Sequence, residues 1–397
     1  VYLKRLQFFL NLIGNPEKQI LHYIHVTGTS GKGSVCLMLE AILRADKKHV
    51  GTMTSPEIGP TQTIWQVNGQ VMSDAEFTKI ITELKPKLEK YLKISPYDPI
   101  SHFELMTAIG LYWFAKKRVE YAILEVGCGG RYDSTNIIPY KDIAVITNIG
   151  LDHTDILGKT KAKIAYKKAG IIKRGNLVFT AERNKKILEI IRHECKKQKA
   201  SLEIFNFKFL ILKQFLNYQI FNYQNNNYKL SCLGVHQISN AILAIEIAKA
   251  LKIPYSIIKR GLEKVKLPLR MEIVSKNPLI ILDGAHNPDK MKTTVDTMKQ
   301  VLKFTSTQVR NLPTCQLANL HLLVGFSADK DIHAMIKQLA TLKPATIAIT
   351  KNTINPFRKV AEPKKIKQLF GKYLPNTKIK TFLVNSMFKS ARELELL

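Results

Sequence analysis

His25-Val26-Thr27-Gly28-Thr29-Ser30-Gly31-Lys32-Gly33-Ser34 is the stretch on which the fold turns. Tyr23 to Val26 reads as a buried strand, and Ser34 to Ala45 as a helix apolar almost all round, hence buried. Between them lies a glycine-rich turn. A strand that runs through such a turn into a helix presents backbone amides and the positive end of the helix to phosphate oxygens. Gly28, Thr29, Gly31 and Gly33 let that backbone approach, Lys32 is placed to reach the outer phosphates, and the Ser34 hydroxyl to ligate Mg²⁺. The spacing differs from G-x-x-x-x-G-K-[ST], because Gly33 separates the lysine from the serine. The alternative is a merely flexible turn, which the strand–turn–helix setting disfavours.

Working outward, strand candidates Tyr121–Val126 and Asp142–Ile149 each end in Gly, Asn or Asp, the alternation of a mostly parallel sheet covered by helices. Ligands of such sheets bind beyond the carboxyl ends of the strands. There Glu125 sits in an apolar run, where a carboxylate needs a cation: Mg²⁺, or a buried pair with Arg131. His153, after the next strand, is either a hydrogen-bonded structural histidine or, beside a phosphate loop and Glu125, a metal ligand. Lys167-Lys168 lies among Ile164, Ala169, Gly170 and Ile171, so at least one of the two points inward.

Residues 201–233, rich in Phe, Tyr, Ile and Asn, read as a hairpin or small antiparallel meander with its turn at Asn225-Asn226-Asn227, followed by a helix from Ile238 to Leu251. Leu267-Pro268-Leu269-Arg270 looks like a linker. Alternation then restarts: strands Leu279–Leu282, Leu320–Val324, Thr346–Thr350 and Lys378–Val384, and helices Lys290–Leu302, Ile332–Leu342 and Pro363–Tyr373, with Thr305–Ala318 as a loop. The expected division is a phosphate-binding α/β domain over 1–266 with the small β insertion at 201–233, a linker at 267–273, and a smaller Rossmann-like α/β domain over 274–397.

Composition is compatible with this. The 397 residues suit two or three domains, and 45% apolar with 23% charged is a globular average. No apolar run approaches the ~20 residues of a membrane span. Lys plus Arg number 61 against 31 Asp plus Glu, a formal charge of +30. The basic residues are scattered singly and in short runs, which reads as solvated faces and not as a nucleic-acid-binding arm. Five dispersed cysteines without C-x-x-C read as reduced thiols of a cytoplasmic protein. The Leu6–Ile13 apolar stretch is broken by Asn11 and lacks a small-residue cleavage site, so no signal peptide is expected, and Val1 suggests that a native start is missing.

The phosphate-loop stretch resembles the signature of the folylpolyglutamate synthase/dihydrofolate synthase family, within the Mur ligase superfamily. The resemblance continues through Phe103-Glu104, Glu125-Val126-Gly127 with Gly129-Gly130-Arg131, Asp133 with Thr135-Asn136, and Thr147-Asn148-Ile149 with Asp152-His153-Thr154. It runs on through Lys168-Ala169-Gly170-Ile171, Gly234 with His236-Gln237, Asn240-Ala241, Asp283-Gly284-Ala285-His286-Asn287-Pro288 and Lys330-Asp331.

It implies a ligase in which ATP phosphorylates a carboxylate and an amino group attacks the acyl phosphate, here with L-glutamate and a folate or dihydropteroate. It puts Gly31, Lys32 and Ser34 on the triphosphate, and Ser34, Glu125, His153 and a carbamylated Lys168 on Mg²⁺. Asn240, Arg270 and Asp283 match nucleotide contacts, and His286 a position near the reaction centre. A cytoplasmic monomer acting on small molecules, with no nucleic-acid or membrane partner, is the matching expectation. Alternatives are a ligase of the same superfamily acting on a non-folate carboxylate, and an inactive ATP-binding relative.

Departures from the family pattern fall at Glu57, at Thr63-Ile64-Trp65-Gln66 where an acceptor-side acid and arginine are usual, at Leu267-Pro268-Leu269-Arg270, and at Lys167, where an acid is usual. The family's last strand finds no counterpart before Leu397, so the C-terminal domain is read as truncated.

Overall fold

The computed structural model describes residues 2–205, 207–308, 320–351 and 359–381. The chain divides into two compact units, one of residues 1–211, 220–231 and 237–266, the other of 212–219, 232–236 and 267–397.

The first unit is built on an eight-stranded sheet. In chain order its strands are β1 (His22–Thr27), β2 (Val50–Met53), β3 (Trp65–Val67), β4 (Gln70–Val71), β5 (Tyr121–Glu125), β6 (Ile143–Ile146), β7 (Leu177–Thr180) and β8 (Ser201–Glu203). Spatially they run β4-β3-β2-β5-β1-β6-β7-β8. From β2 to β8 every pairing is parallel, and only β3 and β4 are antiparallel additions at one edge. β1 is central, and after His22 every residue in it is buried, as a strand covered on both faces must be.

Helices cover the sheet in two groups. α1 (Tyr2–Leu12), α3 (Asp74–Ile94) and α4 (His102–Lys116) bury Leu6, Phe9, Ile80, Leu84, Tyr91, Ile109 and Phe114 in one core with Ala122 and Leu124 of β5. α6 (Lys161–Ala169) and α7 (Lys185–Gln198) close a second core with Ala144, Ile146 and Val178, beyond the short helix α5 (Thr154–Leu157). Between β1 and β2 runs α2 (Lys32–Ala45), and α9 (Tyr255–Lys264), which follows α8 (Val235–Ala250), packs on it. Gly261 of α9 is so close that a Cβ there would lie 2.6 Å from the Ile42 Cα. α4 starts with a capping box: Ser101 accepts from the Glu104 amide and Glu104 from the Ser101 amide, while Glu104 also takes Arg5 of α1 at 2.7 Å.

Several expectations shift. Ser201–Glu203 pairs with β7 and belongs to the main sheet, so the small antiparallel sheet is only β9 (Leu210–Gln214), β10 (Gln219–Tyr223) and β11 (Asn226–Leu230). Its turn is at Gln224 and Asn225, which carry the positive φ, and Asn226 and Asn227 are already strand. Asp142–Ile149 shortens to Ile143–Ile146. Ile64 and Trp65, in the stretch that departs from the family pattern, are core: Trp65 is fully buried and its Nε1 donates to the Met106 carbonyl at 3.2 Å.

In the second unit β12 (Glu272–Lys276) takes up part of the expected linker and pairs antiparallel with β13 (Leu279–Leu282). β14 (His321–Val324), β15 (Thr346–Ile349) and β16 (Lys378–Thr381) form a three-stranded parallel sheet. α10 (Pro288–Gln308) extends into the segment read as a loop, and the rest of that loop, like the end of the last strand read to Val384, lies outside the described residues. α11 (Ile332–Ala340) and α12 (Pro363–Tyr373) are the crossovers, and Met335, Ile336, Ile366 and Phe370 fill the core with Ile347 and Ile349. Among the described residues no helix is long and apolar enough to cross a membrane.

Candidate active site

The glycine-rich turn sits at the carboxyl end of central β1, between its neighbours β5 and β6, and its geometry explains its composition. At Gly28 (φ +152°) a Cβ would fall 1.7 Å from Thr147 Oγ1; at Gly31 (φ +81°) one would fall 2.4 Å from Asn240 Oδ1. The turn is clamped by the segment after β6. The Thr29 amide donates to the Asn148 carbonyl at 2.9 Å, the Ser30 amide to Asn148 Oδ1 at 2.8 Å, and Thr147 Oγ1 to the Ser30 carbonyl at 2.6 Å. The Thr29 hydroxyl donates to the Gly150 carbonyl and accepts from the Gly150 amide, so it braces the turn. Gly31 is the N-cap of α2 and offers no capping side chain, and the first turn of the helix carries no acid. Its amides are thereby presented to an anion.

Glu125 closes the site from the end of β5. It is 4% exposed, its Oε2 accepts from the Ser55 amide at 2.9 Å, and its Oε1 stands 3.7 Å from Lys32 Nζ. A Cβ on Gly33 would lie 3.2 Å from Oε2, so carboxylate and turn touch. The alternative pair with Arg131 is not formed: Arg131 bonds Glu194 at 2.6 Å and lies over the Tyr166 ring. Of the two neighbouring lysines, Lys168 is the inward one. It is buried, and its Nζ donates to the Gly28 carbonyl at 2.7 Å. Burial, and then the Lys32 charge, draw its amine down to about 7. Ser34 is buried in the first turn of α2. His153 is exposed at the cap of α5, in a left-handed conformation (φ +48°), on the segment whose Asn148 and Gly150 clamp the turn.

The donor set fits Mg²⁺. A buried carboxylate, a serine hydroxyl and a phosphate-presenting turn are hard-oxygen chemistry. Among the described residues no three His, Cys, Asp or Glu side chains form a metal-holding group. That suits a cation shared with substrate phosphates better than one in an all-protein cage.

The second unit holds Arg270, Asp283 and His286 together. Asp283 Oδ2 accepts from the Met271 amide at 3.0 Å, and its Oδ1 from the Ala285 amide and the Thr294 hydroxyl. A Cβ on Gly284 would lie 3.0 Å from Arg270 Nη1. His286 Nδ1 bonds the Gly284 carbonyl at 2.9 Å, and Lys290 Nζ lies 2.9 Å from its Nε2. His236, deeply buried near Asp283 and Arg270, is drawn down to about 4, mainly by burial.

The sequence marked Thr147 and Asn148 only as a strand end and a family match, without a role, and did not single out Lys290. The signal for Lys290 was an i, i+4 spacing from His286.

Residues 26–248 match the Mur ligase middle domain family. The chain is 36% identical over 359 residues to the dihydrofolate synthase/folylpolyglutamate synthase of Bacillus subtilis, covering 86% of this chain and 79% of that protein. It is 32% identical to the folylpolyglutamate synthase of Lacticaseibacillus casei, over 85% of this chain and 78% of that one. Among solved structures, Mycobacterium tuberculosis folylpolyglutamate synthase complexed with ADP and AMPPCP superposes with a TM-score of 0.85 at 26% identity, over 99% of this chain and 88% of that one. E. coli FolC in complex with DHPP and ADP gives 0.78 at 26% identity, over 98% and 86%. By its glycine-rich turn, its sheet and these relatives, the chain belongs to the folylpolyglutamate synthase/dihydrofolate synthase family of the Mur ligase superfamily.

Proposed function

We propose that this protein is an ATP-dependent ligase that joins L-glutamate to a folate, to dihydropteroate, or to both, through an acyl phosphate. The observation that carries the reading is the cluster of Lys32, Glu125 and Lys168 around one anion-presenting turn. The amides of α2 and the Lys32 ammonium bind and orient the triphosphate, and Lys32 balances charge that builds on the transferring phosphoryl group. Asn240, whose Oδ1 lies against Gly31, is assigned to the nucleotide. Ser34, Glu125 and His153, with Lys168 as its carbamate, would hold Mg²⁺, which when bound neutralises phosphate charge and orients the carboxylate.

Carbamylation requires a neutral amine, and the lowered Lys168 amine supplies one near neutral pH. In the second unit, Arg270 and Asp283 are assigned to the nucleotide and His286 to the reacting groups, with Asp283 fixing the backbone at Met271 and Ala285. The relatives' names support this reading: dihydrofolate synthase/folylpolyglutamate synthase and folylpolyglutamate synthase.

The test is a substrate panel: purified protein, ATP, L-glutamate, and either dihydropteroate or a reduced folate, with products read by mass. A product heavier by one glutamyl residue, with stoichiometric phosphate, is the expected result. Phosphate release only with a different carboxylate would move the protein to another substrate, and no release with any acceptor would make it an inactive relative.

A further inference from the structure

Beneath the site lies a line of buried polar groups that the ligase chemistry does not use. Lys141, His25, Thr135 and Asp133 are all less than a tenth exposed. Lys141 Nζ lies 2.9 Å from His25 Nδ1, His25 Nε2 lies 2.7 Å from Thr135 Oγ1, and Thr135 Oγ1 lies 2.5 Å from Asp133 Oδ1. Asp133 Oδ2 accepts from the Cys128 amide at 2.9 Å, and a Cβ on Gly127 would lie 3.3 Å from that same oxygen. The line thus ends on the glycine-rich turn that follows Glu125, which Thr27 of β1 also holds through the Gly129 carbonyl at 2.6 Å.

The acid end sets the direction. Burial raises the Asp133 carboxyl, but two backbone amides, Cys128 and Thr135, and the Thr135 hydroxyl converge on it and oppose that shift, the donor set of a carboxylate. Once its proton points at Asp133, the Thr135 oxygen must accept, so His25 donates from Nε2 and its Nδ1 is a bare acceptor. Lys141 supplies the donor there, and it also donates to Asn136 Oδ1 at 3.0 Å; among the described residues it forms no ion pair. The charged groups that face the line are Lys173, whose field reaches Lys141 and His25, and Lys32 and Lys168, which interact with Asp133. Burial and Lys173 both draw the Lys141 amine well down, and no carboxylate holds it as a cation. A buried lysine placed there serves hydrogen-bond direction and not charge pairing.

We infer that Lys141, His25 and Thr135 are positioning residues of the ligation site, a directed relay that holds Asp133 on the Cys128 amide and so fixes the Gly127–Gly130 turn beside Glu125. This rests on the reading of Glu125 and the phosphate turn as the ligation site. The test compares wild type with Thr135→Val and Thr135→Ser. Labelling with ¹⁵N-cysteine confines the amide signals to five cysteines, and the hydrogen exchange of Cys128 reports its bond to Asp133 directly.

Thr135→Val should speed Cys128 exchange at least about tenfold and lower kcat about tenfold with the KM for ATP within about twofold, and Thr135→Ser should restore both. Melting temperature is followed in parallel. If Thr135→Val does not fold, Lys141→Met, which fills the space without the donor, is read in the same two ways. Wild-type turnover in the valine variant, or unchanged Cys128 exchange, overturns the relay. A wild-type protein that makes no product with any acceptor sinks the ligase reading instead, and the Cys128 exchange still decides the relay.

Discussion

Lys32 and Lys168 are the two cations of the phosphate turn, and their surroundings give them different work. Lys32 is partly exposed, with its Nζ 3.7 Å from Glu125, and the proposed reading gives its ammonium to the triphosphate. Lys32→Ala should leave the melting temperature near that of the parent and cut ligation at least about a hundredfold, as loss of a charge that stabilises a transition state does. Near-parental turnover would remove Lys32 from the site. Lys168 is buried, with its amine at about 7 against an ordinary 10.5. Between those values the unfolded chain binds a proton that the folded chain does not, so stability rises with pH across that window. The cost of burying the ammonium is complete below about 7 and fades as pH approaches 10.5. In buffer free of CO₂, Lys168→Met should therefore gain more in melting temperature at about pH 6 than at about pH 9.5. An equal gain at both would mean that the amine titrates normally. With bicarbonate present, the carbamate reading expects Lys168→Ala to recover part of its activity on addition of short-chain carboxylates. No recovery, together with an unmodified Lys168 mass in the parent, would count against it.

At the scale of elements, the phosphate turn was legible because its requirements are local. A Cβ at Gly28 collides with Thr147, and a positive φ is cheap only for glycine, so the residue type announces the backbone. Gly28→Ala should abolish nucleotide binding in a titration, since the backbone conformation alone costs about 1–3 kcal/mol before the clash is relieved. Gly371, by contrast, lies inside α12 with nothing within 4 Å of where its Cβ would sit. Gly371→Ala should stabilise by about 0.5–1 kcal/mol in denaturant unfolding and leave turnover unchanged. Long-range pairing was the part that sequence could not supply. Ser201–Glu203 looks like the start of an antiparallel meander because its composition matches that of β9 to β11, and only the parallel register with β7 assigns it to the main sheet. Arg131, close to Glu125 in sequence, could not be told from Mg²⁺ as its cation; α7 supplies Glu194 to Arg131, which rules that pair out. The burial of Trp65 was likewise hidden, because an uncharged stretch does not reveal that α4 presents Gly110 to its ring.

For the whole molecule the telling quantity is charge. The chain carries 61 basic against 31 acidic residues, and where lysines and acids pair on its surface they do so singly, as Lys48 with Glu120 and Lys229 with Glu263. Pairs of that kind contribute little to stability, about 0–1 kcal/mol each, and they leave most of the positive charge uncompensated. The excess acts at a distance, where it raises the local concentration of anions and speeds their encounter with the protein. A folate bearing several glutamyl residues is a polyanion, whereas dihydropteroate is nearly neutral apart from its one carboxylate. Salt at about 0.1 M screens beyond about 10 Å, and at about 1 M beyond about 3 Å, so the attraction should fade over that range while contacts inside the site persist. The expected outcome is a KM for a polyglutamylated acceptor that rises several-fold between low and high salt, a smaller rise for a monoglutamate, almost none for dihydropteroate, and a kcat that stays nearly constant throughout. Steady-state kinetics at three salt concentrations, with an inert cation and ATP held saturating, measures this. Equal salt dependence for all three acceptors would show that the net charge does not reach the acceptor and that the lysines are solvated faces alone.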